Sequence, residues 1–141
     1  VKQYIKASAK QMPAAQYRFK PTPSVRTFGA ILAHVAGASY EFCAAAKGEK
    51  SPFAEDHFEK TARTKTAIVK ATTDAIAYCD DAYTALTDAS AGQPVQNPFG
   101  SGQVPRARVL VGQIGHDNEH YGNLVTYFRL KGMVPPSSKK Q

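Results

Sequence analysis

Proline and glycine cut this 141-residue chain into pieces, and the pieces read as helices rather than strands. No stretch alternates apolar and polar residues for long, while apolar residues recur at three- and four-residue spacing between the breaks. The first segment runs to about Gln11 with Tyr4, Ile5 and Ala9 on one face, and Pro13 ends it. In the turn-rich connector Met12–Pro21, Tyr17 and Phe19 are expected to lie back on the folded body. Thr22-Pro23 offers an N-cap followed by a first-turn proline, so the second helix is expected from there to about Ala46, with Gly48 as its stop. Phe28, Ile31, Leu32, Val35 and Phe42 form its stripe. After a connector over Lys47–Asp56, a third helix is predicted from about Asp56 to Leu86. Ile68, Ala75, Ile76, Tyr78, Tyr83 and Leu86 face inward in this reading, and Thr61, Lys65 and Thr72 outward. Ser90–Val104 reads as irregular, and Pro105 opens a last helix to about Leu130 that stops at Gly132. Val109, Leu110, Ile114, Leu124, Val125 and Phe128 give that helix a core face. Four helices in one small domain predict an all-α, antiparallel four-helix bundle over residues 1–136, with a polar tail over 137–141.

Composition closes off other classes. With 43% hydrophobic and 21% charged residues the chain can build a core, which excludes bulk disorder. No apolar run approaches the roughly 18–20 residues of a membrane span, so no membrane partner is expected. The 18 basic residues against 11 acidic ones give a net charge of +7, but they are scattered along the chain, so no nucleic-acid partner is expected either. Cys43 and Cys79 fit no metal or redox spacing. In a tight hairpin of helices two and three they would lie far apart. If the connector crosses the bundle and the two helices run parallel, a bridge is permitted but not required. The chain starts at Val1, within a helix, so a removed or missing upstream piece is expected. The default location is the cytoplasm, with the periplasm or secretion if a signal peptide preceded Val1.

The chemistry concentrates in the histidines. His116 and His120 are one turn apart on the last helix, about 40° around its axis, and two imidazoles so placed can grip one ion. Such a pair also arises by chance on surface helices. His34 sits within the apolar stripe of the second helix, where an imidazole without a partner is costly. A lone histidine there is usually a hydrogen-bonded core residue. Three of the four histidines on the inward faces of two helices make a stronger case for a three-histidine, open metal site. His57, beside Glu55 and Asp56, reads as a capping or surface residue. The run His116-Asp117-Asn118-Glu119-His120 is not a zinc-peptidase motif, because Asp117 is one carbon short of a glutamate and turned about 100° from the ligand face.

This last helix resembles that of the DinB-like (damage-inducible, YfiT-related) metal-binding bundles. The likeness rests on His116, His120, Gly122-Asn123-Leu124 and the end Gly132-Met133-Val134-Pro135. Met12-Pro13, Tyr17, Pro21-Thr22-Pro23, Val25 to Gly29 and His34 are similar to the family's first connector and second helix. The resemblance implies a long crossover between parallel helices 2 and 3, and a divalent metal, zinc or nickel, on His34, His116 and His120. Asn123 replaces the family's usual glutamine, and Tyr121 stands where a basic residue or histidine is common.

Related members include bacillithiol- or mycothiol-dependent transferases, and a branch that isomerises maleylpyruvate. The resemblance therefore implies a thiol S-transferase whose partners are a small electrophile and a low-molecular-weight thiol, in a chain that often pairs as a homodimer. Asn123 and Tyr127, one and two turns past His120, are candidate pocket residues. Glu41, two turns from His34, is a candidate acceptor or proton carrier. All three also read as ordinary bundle residues. The alternatives are a non-catalytic metal- or ligand-binding stress module and a metal-dependent hydrolase.

Overall fold

The computed structural model describes residues 1–139. Four long helices carry the fold: α1 (Lys2–Gln11), α2 (Phe28–Lys47), α4 (Lys65–Thr84) and α6 (Arg106–Leu130). Shorter elements are α3 (His57–Thr61), α5 (Asp88–Ala91) and the strands β1 (Pro94–Gln96) and β2 (Gln103–Pro105).

Helices α2 and α4 run parallel: Ala36 and Tyr40 cluster with Ala71 and Ala75, and Cys43 is disulfide-bonded to Cys79. Helix α6 is antiparallel to α2, since Phe28 meets Phe128 and Ser39 meets Gln113. Helix α1 is antiparallel to α4, with Lys2 paired to Asp80 and Lys65 donating to the Lys10 carbonyl at 2.8 Å. The segment between α2 and α4 therefore crosses the length of the bundle.

Local chemistry moved several boundaries. Helix α2 starts at Phe28, not at Thr22-Pro23. The Thr27 hydroxyl accepts the Ala30 amide at 3.2 Å, while the Phe28 and Gly29 amides donate to the carbonyls of Phe19 and Tyr17. That capture holds the first connector on the bundle, with Tyr17 buried. Gly48, at φ 77°, stops the helix. The long third helix is two helices, because Ala62 and Thr64 are extended and Thr64 caps α4 through the Ala67 amide. The Lys65 ammonium folds inward onto the carbonyls of Lys10 and Met12. Thr72 is buried rather than outward, its hydroxyl spent on the Ile68 carbonyl at 2.8 Å.

The supposedly irregular loop contains a hairpin in which Val95 pairs with Val104. Val95 is buried against the disulfide, but two three-residue strands are too short for alternation to reveal. On α6, Ile114 is exposed rather than in the core, because Gln113, Asp117 and His120 take the inward positions at that level. Helix α2 is long and apolar enough to cross a membrane by length and composition, with mean hydropathy 1.2, which corrects the expectation that no segment approaches a span. Its apolar surface is used up inside the bundle. Beyond α6 the Ser137 amide donates to the Tyr121 hydroxyl at 2.8 Å. Lys140 and Gln141 of the predicted tail lie outside the described residues.

Candidate metal centre

Between the aromatic end of the bundle and its disulfide end lies a polar layer. His34 of α2 meets His116 and His120 of α6 there. The Nε2 atoms of His34 and His116 are 3.1 Å apart, as are those of His116 and His120. The ligand atoms of the three rings all lie within 4.8 Å of one another. Nitrogens held 2.0–2.1 Å from one ion would be about 2.9 Å apart at neighbouring octahedral positions and about 3.3 Å apart in a tetrahedron. The observed spacing falls between these values.

Proton bookkeeping gives an independent test of fit. Nδ1 of His34 lies 3.4 Å from carboxylate oxygens of both Glu55 and Glu59, which favours the proton on that nitrogen and leaves Nε2 as a lone pair. Both remaining contacts then converge on Nε2 of His116. That atom carries either a proton or a lone pair, and cannot serve both contacts well. A cation would satisfy all three rings. Nδ1 of His116 and Nδ1 of His120 are buried without a partner. Burial, then the Arg26 guanidinium and the two facing imidazoles, push His34 down to about 3. Burial and His116 also lower His120, against the opposing pull of Glu119. Neutral imidazoles are the form that binds metal.

A close approach places one of these carboxylates. A Cβ on Gly37 would sit 1.8 Å from the Glu55 carbonyl oxygen, so only glycine lets the crossover press against α2 one turn from His34. Arg26 steadies the other, its Nε 3.1 Å from Glu59. Two hollows open beside the rings. One, about 300 Å³, is walled by Arg26, Phe42, Glu55, Phe99, His116 and His120. The other, about 440 Å³, includes Arg26, Ser24, His120, Asn123, Thr126 and Tyr127.

The candidate pocket residues separate. Asn123 and Tyr127 lie in the wall of the larger hollow, Asn123 exposed and Tyr127 buried with its hydroxyl donating to the Arg26 carbonyl. Glu41 is half-buried and lines neither hollow, and burial with nearby Glu55 holds its carboxyl above the usual range. His57 stacks on Phe53, outside the triad. Glu55, Glu59, Arg26 and Phe99 were missed, because Arg26, Glu55 and Phe99 lie outside the helices and Glu59 lies in the five-residue α3, none with a periodic signal. Asp117 was read as facing away. It avoids the ligand edges but is 2% exposed, and the inward spacing Gln113, Asp117, His120, Leu124 would have found it.

The fold and this layer define a crossover four-helix bundle with convergent histidines. The sequence signature of the DinB superfamily matches residues 2–124, and the chain belongs to that superfamily. No curated protein matches it by sequence. Among solved structures, a DinB-like protein of Bacillus cereus ATCC 10987 superposes with a TM-score of 0.74 at 15% identity, over 96% of this chain and 88% of the other. A DinB-like protein of Bacillus subtilis gives 0.73 at 17%, over 99% and 93%. A mycothiol-dependent maleylpyruvate isomerase gives 0.70 at 16%, over 87% of this chain and 55% of the isomerase. At these identities the likeness establishes the fold.

Proposed function

We propose that this chain is a divalent-metal-dependent thiol S-transferase, joining a low-molecular-weight thiol of the bacillithiol or mycothiol type to a small electrophile. The observation that carries the reading is the convergence of the three Nε2 atoms beside two open hollows. The structural likeness to a mycothiol-dependent enzyme supports a thiol as co-substrate. In this reading His34, His116 and His120 hold zinc or nickel. When bound, such an ion supplies Lewis acidity that favours a thiol as its thiolate near neutral pH.

The protein's own groups divide the remaining work. Glu55 and Glu59 fix the His34 ring. Ser24, Asn123 and Thr126 give the larger hollow polar walls suited to a hydrophilic thiol. Phe42 and Phe99, with ring centroids 4.7 Å apart, give the smaller one an apolar wall for the electrophile. Arg26 borders both and offers a cation to a carboxylate on either partner. Tyr127 braces the backbone beneath Arg26. Glu41 lines neither hollow and takes no part in this division.

The test is turnover of chlorodinitrobenzene by zinc- or nickel-loaded protein with added thiol. Thioether formation that requires both the thiol and the three histidines is the expected result. Metal uptake without any turnover would replace this reading with a binding module. Thiol-independent ester cleavage would replace it with a hydrolase.

A further inference from the structure

Behind His116, away from the two hollows beside the rings and in the wall of a third of about 290 Å³ that Gln113 and Tyr83 also line, the structure holds a buried carboxylate that the proposed function does not use. Asp117 is 2% exposed. Its Oδ2 accepts the Gln113 side-chain amide at 2.7 Å, and Gln113 is itself buried. The Tyr83 hydroxyl lies 2.7 Å from Oε1 of Gln113, which turns the amide nitrogen toward Asp117. Burial, with Asp117 and Asp80 nearby, pushes the Tyr83 phenol up to about 12, so it remains a donor. The chain Tyr83–Gln113–Asp117 thus fixes one carboxylate oxygen and leaves Oδ1 buried with no partner. Nδ1 of His116, also buried and unpartnered, lies 4.0 Å from that oxygen. A buried orphan acceptor facing a buried orphan donor calls for an explanation, since each costs stability when left alone.

We propose that Asp117 is a positioning residue for the metal centre: its Oδ1 takes the Nδ1 proton of His116 in a hydrogen bond when His116 binds an ion through Nε2. This inference rests on the metal-binding reading. Binding through Nε2 puts the ring proton on Nδ1, making that nitrogen an obligatory donor where no solvent reaches. The 4.0 Å separation is about 1 Å too long for a hydrogen bond. A small rotation of the ring or carboxylate closes it. Before binding, Oδ1 of Asp117 is a buried acceptor without a donor; after binding, the ring N–H of His116 supplies one. The sequence Gln113-x-x-x-Asp117 on α6 therefore does for His116 what Glu55 and Glu59 do for His34 from the crossover.

The experiment is zinc affinity by chelator competition, with the Nδ1 proton resonance of His116 and the melting temperature of the metal-free protein, in wild type, Asp117→Asn and Gln113→Met. Asp117→Asn is expected to weaken zinc roughly 10–100-fold and to move the Nδ1 proton upfield. It should leave the metal-free protein as stable as wild type or more so, because the amide oxygen keeps the Gln113 hydrogen bond and the orphan acceptor is gone. Gln113→Met keeps the carboxylate but frees it, and should weaken zinc less, by roughly several-fold. A merely structural Asp117 would instead lower the metal-free melting temperature and leave the zinc affinity of the folded protein within twofold. That result, or an unchanged Nδ1 resonance in Asp117→Asn, overturns the assignment. A wild-type chain that takes up no zinc overturns the metal reading and this assignment with it. Zinc bound by wild type and, within twofold, equally by Asp117→Asn overturns this assignment alone.

Discussion

The aromatic end of the bundle and the polar layer beside it are built from the same two helices, yet they treat buried polar atoms in opposite ways. At the aromatic end Phe28 packs edge-on against Phe128 and Tyr17, and the two buried phenols are satisfied: Tyr17 donates to the Ala9 carbonyl and Tyr127 to that of Arg26. One to two turns away, the layer of His34, His116, His120 and Asp117 leaves three buried side-chain atoms unpartnered, of five such atoms among the described residues. Packing that is complete in itself stabilises the fold with or without a ligand. A layer that is incomplete by three partners is stabilised by whatever completes it.

Four changes should affect these two regions differently. Phe128→Ala should cost about 3–5 kcal/mol in metal-free and metal-loaded protein alike, because a fully buried ring leaves a cavity. Chemical denaturation with and without zinc checks it, and a loss confined to the loaded form would erase the distinction between the two regions. His116→Ala should behave oppositely. Zinc content falls to background by elemental analysis, and the stabilisation from zinc, about 2.7 kcal/mol at a hundredfold excess over Kd, disappears while the metal-free protein changes little.

Gly37→Ala should cost about 1–3 kcal/mol by driving the Glu55 backbone off α2. It should also weaken zinc, by loosening the group behind His34. Equal zinc affinity in wild type and variant would show that Glu59 alone orients that ring. The smallest effect is on pH. His34 titrates near 3 in the folded metal-free protein against an ordinary 6.5, so the unfolded chain binds a proton that the folded one refuses. Stability from this group is complete above about 6.5 and is lost as the pH falls toward about 3. Over the first pH unit of that fall, from about 6.5 to about 5.5, a melting temperature lower by roughly a few degrees in wild type, but less in His34→Gln, is the expected result.

How much of this could be read from the chain differs between its parts. The four long helices were legible because their apolar residues repeat every three to four positions and because Gly48, Pro105 and Gly132 mark ends. The break at Ala62–Thr64 was not, since no glycine or proline marks it and Thr64, the cap of α4, reads as one more mid-helix threonine. The hairpin escaped because Val95 and Val104 are its only apolar pair. In the site, the one-turn spacing of His116 and His120 and the odd placement of His34 were visible as residue types out of keeping with an apolar face. The groups behind those rings were not. Glu55 and Glu59 are an i, i+4 acidic pair that would pass for any solvated turn, and Asp117 was judged only as a ligand.

Periodicity within a few turns of one helix is enough to set the long helices, their apolar faces and the one-turn spacing of His116 and His120, whereas the approach of His34 to that pair depends on how α2 and α6 dock. Only the tertiary structure decided that Cys43 and Cys79 are joined, that Phe99 walls a hollow, and that carboxylates from the crossover and from α6 stand behind the rings. Apart from Asp117, whose role turns on which way α6 faces, these pairings span tens of residues. Their geometry is set by how whole helices dock, and no local repeat in the chain records that.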